Sequence, residues 1–292
     1  VSMETGDLLP PALADILARL RSDARAMPKA QVAGVLESNW GKGWEKQFKH
    51  FSYAPLAAAS IGQVHRAQTH DGRDLAIKIQ YPGVQESIDS DVDNVAGLLR
   101  LSGLLPRELD IKPLLNDAKR QLHEEADYLR EGDYLQQYRD LLSDAPQYAL
   151  PGLHPDLTTR HVLAPDYVGG VPLEALVDSP QATRDRVTEL LFALLLREVF
   201  EFRLVQTDPN FANYRYDMDT QQLILLDFGA TRPYKVSMAR DFRRLISGAM
   251  AADRAAMADA CLAIGYFDAA SQTRHKEAVV DIGVDALEPF CQ

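Results

Sequence analysis

The chain of 292 residues has only two cysteines, Cys261 and Cys291, with neither a pairing framework nor metal-ligand spacing, so a reducing compartment is expected. It has no basic excess. Its 31 Lys and Arg stand against 42 Asp and Glu, a net charge of −11, which argues against DNA or RNA as a partner. Nucleotides stay open, because a divalent cation can supply the positive charge. No apolar run is long: Leu190 to Leu196 falls far short of the roughly 20 residues that span a bilayer core of ~30 Å, and reads as part of a core helix. The opening residues Val1-Ser-Met-Glu-Thr-Gly6 show no basic or apolar signal-peptide region, so none is expected. Internal repeats and low-complexity tracts are lacking. The seven histidines are scattered and none lies in the stretch described next, which leaves a histidine base or metal cluster little support.

That stretch is Gln206-Thr-Asp-Pro-Asn-Phe-Ala-Asn213, followed by Leu223-Ile-Leu-Leu-Asp227-Phe-Gly229. Asp208 and Asn213 keep the five-residue spacing of a kinase catalytic loop, in which the Asp sits by the attacking hydroxyl and the Asn on a metal; Asp227 of Asp-Phe-Gly is the second metal ligand. Carboxylates and an amide oxygen suit Mg²⁺, a hard ion that takes few protein ligands and fills its octahedron with phosphate and water. Each motif alone also fits an ordinary loop or turn. Their order, the hairpin expected between them (Tyr214 to Leu226) and the partners upstream carry the reading.

Upstream, two amphipathic helices are expected, one after Pro10-Pro11 with Leu13, Ile16, Leu17 and Leu20 on a face, the next after Pro28 with Val32, Val35 and Leu36. Trp40, Trp44, Phe48 and Phe51 then serve to pack them onto the next domain. Between strands expected at Phe51 to Pro55 and Gln63 to Thr69, the run Ala57-Ala-Ala-Ser60 occupies the place of a glycine-rich phosphate loop. Alanine narrows the backbone's range, so a stiffer, more selective loop is expected. Asp71-Gly72 signals a hairpin into Asp74-Leu-Ala-Ile-Lys-Ile-Gln80, with Leu75, Ile77 and Ile79 on one face and Ala76 and Lys78 on the other. A lysine in a half-buried strand needs anions: phosphates and one carboxylate. An acidic helix is expected from Gln85 to Leu105 and a longer one from about Asp110 to Leu142, in which Asp127 and Glu131 share a face; Glu131 is the candidate partner of Lys78. Strand pattern resumes around Leu157 to Val168, Gly169-Gly-Val-Pro172 reads as a hinge, and Ser179-Pro180 opens an apolar helix to Phe202. After Gly229 no Ala-Pro-Glu follows and helix resumes near Ser237, too soon for a peptide-binding activation segment.

Five motifs, Ala57-Ala-Ala-Ser-Ile-Gly-Gln-Val64, Ala76-Ile-Lys-Ile-Gln-Tyr-Pro-Gly-Val84, Glu125-Ala-Asp127 with Glu131, Gln206-Thr-Asp-Pro-Asn210 and Leu226-Asp-Phe-Gly-Ala-Thr-Arg232, resemble the UbiB family of atypical kinases, and Gln-Thr-Asp-Pro-Asn its coenzyme Q branch. The resemblance covers nearly the whole chain. It implies an α+β, bilobal protein-kinase-like fold: an N-terminal helical extension (1–50), an N-lobe with a helical insert (51–168) and a C-lobe (169–292). It implies Mg-ATP binding and ATPase or unorthodox kinase activity in ubiquinone biosynthesis, or alternatively a nucleotide-sensing scaffold that organises the same pathway. Lys78, Glu131 and Asp208 are then the catalytic candidates, and Asn213 and Asp227 the Mg²⁺ ligands. Ala57, Ala58, Ala59, Ser60, Ala76, Lys78, Asp166 and Val168 are the nucleotide-binding candidates. The family's Lys-x-Gly-Gln signature, expected just before a segment like Val1-Ser-Met, is not in the sequence, and it meets the Glu-x-Asp motif, so Glu125 and Asp127 stay unassigned. Implied partners are ATP or ADP, a membrane lipid or ubiquinone precursor and the biosynthetic proteins. The implied setting is peripheral, on the cytoplasmic side of a bacterial inner membrane or on the mitochondrial matrix side.

Overall fold

The computed structural model describes residues 26–59, 61–101, 112–208 and 210–287. The expected first helix with Leu13 to Leu20, Ser60 and Cys291 lie outside them. The chain forms two compact units, one of Val1–Leu190 with Gln206–Thr231, the other of Leu191–Val205 with Arg232–Gln292.

The first unit opens with α1 (Lys29–Trp40), entered through Pro28 as expected. Five strands then build an antiparallel sheet: β1 (Phe48–Phe51), β2 (Ala57–Ala59), β3 (Gly62–Thr69), β4 (Asp74–Gln80) and β6 (Val162–Leu163). β1 and β2 pair with successive halves of one edge of β3, while β4 lies between β3 and β6. The alanine run is therefore a strand and not an open loop, because Ala57, Ala58 and Ala59 pair with Val64, Gln63 and Gly62. Gly62 is fixed by proximity: a Cβ there would lie 2.1 Å from the Ile79 carbonyl oxygen. The strand expected at Phe51 to Pro55 is instead Phe48–Phe51, and beyond it the Ser52 and Leu56 N–H groups bond to β3, at the Arg66 and Val64 carbonyls.

The alternation of β4 holds. Leu75, Ile77 and Ile79 are fully buried with Val32 and Leu36 of α1, Trp44, Phe48 and Val162, which is the core the aromatic run was expected to serve. Each such side chain stabilises the fold by roughly 1.5–3 kcal/mol. The opposite face of the sheet receives Ile61, Ile88, Ala126, Tyr128 and Leu163.

The helical insert departs from expectation. In place of one helix from Asp110 to Leu142 there are α3 (Lys112–Glu125) and α4 (Tyr128–Leu141), after an α2 (Val84–Leu101) that opens where predicted. Asp127 has extended backbone (ψ 92°) and its carboxylate accepts the Leu129 and Arg130 N–H groups, so it caps α4 instead of sharing a helix face with Glu131. The Ala126 carbonyl, released from helical bonding, accepts Gln80 Nε2 at 2.6 Å and Gln85 Nε2 at 2.8 Å, which ties the break to the end of β4. The strand pattern of Leu157 to Val168 condenses to β6 and isolated bridges at Pro165 and Asp166.

A second sheet has the order β5 (Tyr148–Ala149), β10 (Gln222–Leu225), β9 (Tyr214–Asp217), β7 (Val171–Pro172), so the presumed hinge at Gly169 to Pro172 contributes an edge strand. Helix α5 (Gln181–Arg197) continues into a π-helical turn, Glu198–Phe202, then β8 (Leu204–Gln206). Beyond β11 (Thr231–Pro233), the second unit is helical: α6 (Val236–Met250), α7 (Arg254–Ile264) and α8 (Thr273–Leu287), closed on Leu245, Met257, Ala260, Cys261 and Val280.

Candidate active site

The hairpin register creates the first half of the site. Leu225 pairs with Tyr214, and the Leu226 N–H bonds to the Asn213 carbonyl at 3.0 Å, so Asn213 and Asp227 flank the hairpin's open end. Asn210 caps the short 3₁₀ turn Phe211–Asn213 through its side-chain oxygen and the Ala212 N–H. The Asn213 amide donates to Asp208 Oδ2 at 3.0 Å and to its carbonyl at 3.3 Å, which brings the two catalytic-loop candidates together and leaves Asn213 Oδ1 out of both bonds.

The second half comes from β4 and α4. Lys78 Nζ lies 3.0 and 3.1 Å from the two oxygens of Glu131, the partnership expected from sequence, and 3.0 Å from Asp227 Oδ2, which was not. Glu131 is 1 % exposed, Lys78 11 % and Asp227 34 %, so the trio grades from interior to surface. The Tyr128 ring lies 5.2 Å from the ammonium.

One ammonium facing two carboxylates in a largely buried cluster perturbs all three groups. Burial alone would discharge Lys78, but Asp227 and Glu131 hold its pKa well above the ordinary value. Burial pushes Glu131 up, Lys78 pulls it back, Asp227 adds to the rise, and the outcome is about 7. Burial would likewise raise Asp227, yet Lys78 and the Gly229 N–H on Oδ1 at 2.9 Å hold it below the ordinary carboxylate range. Glu131 therefore yields its charge first, and Asp227, the more exposed carboxylate, keeps it.

Around the trio, Gln206 donates to the Asp227 carbonyl at 3.1 Å while accepting from Tyr214 at 2.9 Å. Phe228 is buried with its ring 5.0 Å from Tyr138 of α4. A Cβ on Gly229 would sit 3.3 Å from Asp227 Oδ1 and 3.5 Å from Glu131 Oε2, so the glycine makes room for the acidic pair. Arg130 donates to the Gly229 and Thr231 carbonyls at 2.9 and 2.8 Å. The sequence reading missed Arg130, the Gln206 side chain and the Lys78–Asp227 pair, since no spacing rule connects residues so far apart.

The other candidates are placed as follows. Ala76 and Lys78 share the half-buried face of β4, and Ala57 to Ala59 form the edge strand on the far side of β3. The Asp166 carboxylate is engaged by the Gly152 N–H at 2.9 Å and His154 Nε2 at 2.7 Å, with Val168 two residues on. Asp127 is the α4 cap. Glu125 ends α3, with its Cγ 3.7 Å from the position a Gly229 Cβ would take.

A family model described as the ABC1 atypical kinase-like domain matches residues 19–261. The chain is 36 % identical over 290 residues to the mitochondrial atypical kinase COQ8 of Saccharomyces cerevisiae, covering 99 % of this chain and 58 % of that protein. It is 38 % identical over 294 residues to COQ8B of Rattus norvegicus, covering 99 % and 55 %. It thus spans little more than half the length of these relatives. Among solved structures, Rv3197 of Mycobacterium tuberculosis, determined with erythromycin, superposes with a TM-score of 0.72 at 22 % identity over 97 % of this chain and 73 % of that one, which shows the shared kinase-like α+β fold. The chain belongs to the ABC1 family of atypical kinases, the family of UbiB and COQ8.

Proposed function

We propose that the chain is an Mg-ATP-binding ATPase that supports ubiquinone biosynthesis from the surface of a membrane. The observation that carries this is the ion trio: a buried lysine between Glu131 and Asp227, with Asp208 and Asn213 at the adjoining hairpin end. The trio holds one positive and two negative groups, a net negative charge that favours a cation, and the available donors are all oxygens, which fits Mg²⁺. Among the described residues no group of three or more His, Cys, Asp or Glu is arranged to hold a metal unaided. Asn213 and Asp227 would hold the ion, and phosphate oxygens and water would complete its shell. Bound Mg²⁺ neutralises charge on the transferring phosphoryl group.

Lys78, kept charged by its carboxylates, orients the phosphates, and Glu131 fixes the lysine. Asp208, oriented by the Asn213 amide, positions the nucleophile. Ala57, Ala58, Ala59, Ser60, Ala76, Asp166 and Val168 are proposed to border the nucleotide. Only residues 230–235 separate Gly229 from α6, which supports attack by water or a small acceptor over attack by a peptide. No helix among the described residues is long and apolar enough to cross a membrane, which fits peripheral attachment. COQ8 relatives carry the coenzyme Q designation in their names, and the pathway is carried to this chain on that basis.

The scaffold reading has one observation in its favour: the phosphate-loop position is a paired strand, a stiffer element that suits sensing. Phosphate release, measured with and without vesicles carrying a ubiquinone precursor and with Asp227→Asn as control, separates the two. Turnover that needs Mg²⁺, rises with the vesicles and is lost in the variant supports the ATPase. Nucleotide binding without turnover under both conditions supports the scaffold.

A further inference from the structure

The backbone after Asp227 is held in an unusual way: each of its five carbonyls from Asp227 to Thr231 has a donor. Asp227 receives Gln206 Nε2 at 3.1 Å, and Phe228 the Thr231 N–H at 3.1 Å. Ala230 receives the Thr207 N–H at 3.3 Å and its hydroxyl at 2.8 Å. The remaining two, Gly229 and Thr231, both go to the guanidinium of Arg130, through Nη1 at 2.9 Å and Nη2 at 2.8 Å. Arg130 is itself held, with the Glu124 carboxylate 3.6 Å away and its guanidinium 4.8 Å from the Tyr134 ring centroid. Its side chain is 24 % exposed, so these bonds are partly shielded from water.

The placement matters because of what lies on either side. Arg130 precedes Glu131 on α4, and Gly229 follows Asp227 by two residues, so the bonds join the backbone that carries one carboxylate to the backbone that carries the other. Gly229 also donates its N–H to Asp227 Oδ1, and Lys78 donates to Oδ2. Pinning the carbonyls of Gly229 and Thr231 restrains the peptides that directly follow the Phe228–Gly229 peptide, whose N–H bonds Asp227 Oδ1 and whose carbonyl accepts the Thr231 N–H. We infer that Arg130 is a positioning residue for Asp227: it locks the Asp-Phe-Gly segment onto α4, so that this carboxylate is held ready for a divalent cation. The inference rests on the Mg-nucleotide reading above. The planar fork of an arginine reaches both carbonyls at once; a lysine ammonium is a point charge on a flexible stem and cannot hold both with the same geometry.

The test uses the whole chain, Arg130→Lys as the decisive variant and Arg130→Ala beside it. A fluorescent ADP analogue is titrated first without metal, then at saturation with Mg²⁺, and amide hydrogen exchange of residues 227–231 is followed in the nucleotide-free protein. With two charge-assisted bonds lost or weakened, the Mg²⁺ half-saturation should rise about tenfold in Arg130→Lys, with metal-free nucleotide affinity unchanged, and exchange at Gly229 to Thr231 should quicken about tenfold or more. An unchanged half-saturation with unchanged exchange overturns the inference. So does a fall in both affinities in step with the melting temperature, the mark of a purely structural arginine. If the unaltered chain itself shows no Mg²⁺-dependent binding, the functional reading fails first, and the exchange data still decide whether Arg130 restrains the segment.

Discussion

The two faces of β4 are built from neighbouring residues and obey opposite rules. On one, Leu75, Ile77 and Ile79 are fully buried among apolar side chains, and their contribution is non-directional and tolerant of shape-conserving exchange. On the other, Lys78 is held by two carboxylates at 3.0 Å, an arrangement whose desolvation cost its attractions must offset and which tolerates no partial removal. Strand alternation lets the fold draw stability from the first face while the second keeps groups in a state that suits chemistry better than folding. The difference can be tested by breaking each face separately.

Breaking the ionic face has the largest expected effect. Lys78→Met leaves Glu131 buried without its ammonium, and losing one partner of a buried pair costs about 3–5 kcal/mol. Adding Glu131→Gln should restore most of that stability while nucleotide binding stays lost. Chemical denaturation of the single and double variants checks it; a double variant no more stable than the single would show that the pair is not the source of the loss. Breaking the apolar face, by Ile77→Ala, should cost about 2–5 kcal/mol, with nucleotide affinity per folded molecule unchanged. If affinity fell tenfold at temperatures where that variant is fully folded, the two faces would not be independent.

Legibility in the sequence followed the same division. The β3–β4 hairpin, the orientation of Lys78 and the β9–β10 hairpin were readable because Asp71-Gly72 and two-residue alternation are local signals. Pairing of Lys78 with Glu131 was readable because a half-buried lysine needs a carboxylate and an acidic helix follows. The break between α3 and α4 was not: Glu124 to Glu131 reads as continuous helix, and what interrupts it is a cap by Asp127 together with capture of the Ala126 carbonyl by Gln80 and Gln85 from elsewhere in the fold. Nor was the strand nature of Ala57 to Ala59, since alanine has no strand preference and pairing with β3 decides it. Arg130 was hidden for the same reason, because its partners are backbone carbonyls 99 and 101 residues away.

A smaller effect sharpens the ionic half of the comparison. Glu131 has a folded pKa of about 7 against an ordinary 4.5, with burial as the leading cause. Between those values the folded chain keeps a proton that the unfolded chain has released, so its contribution to stability is full below about pH 4.5 and falls as pH rises to about 7. Asp227 acts in the opposite sense, but only below the ordinary carboxylate range, and Lys78 only above the ordinary lysine range, so neither intrudes on this window. Glu131→Gln should remove a fall in nucleotide-free stability across that pH window that totals on the order of a few kcal/mol at most. Parallel slopes for the variant and the unaltered chain would place the titration elsewhere.

The smallest effect belongs to the edge of the same sheet. Ala58 is exposed and pairs with Gln63, whose side-chain oxygen accepts the Met27 N–H, so the short strand is joined through β3 to the entry of α1. Glycine at 58 frees backbone conformations that alanine denies, at a cost of roughly 0.5–1 kcal/mol in a strand, and for a chain of this size that lowers the melting temperature by only about 1–2 °C. If the strand borders the phosphates, the looser edge should change the preference between ATP and ADP several-fold, an effect out of proportion to the stability lost. Competitive titration of the two nucleotides against one probe measures this directly. A lowered melting point with the ATP/ADP ratio intact would assign Ala57 to Ala59 to packing alone, and would set the apolar logic of β4 on the sheet edge as well.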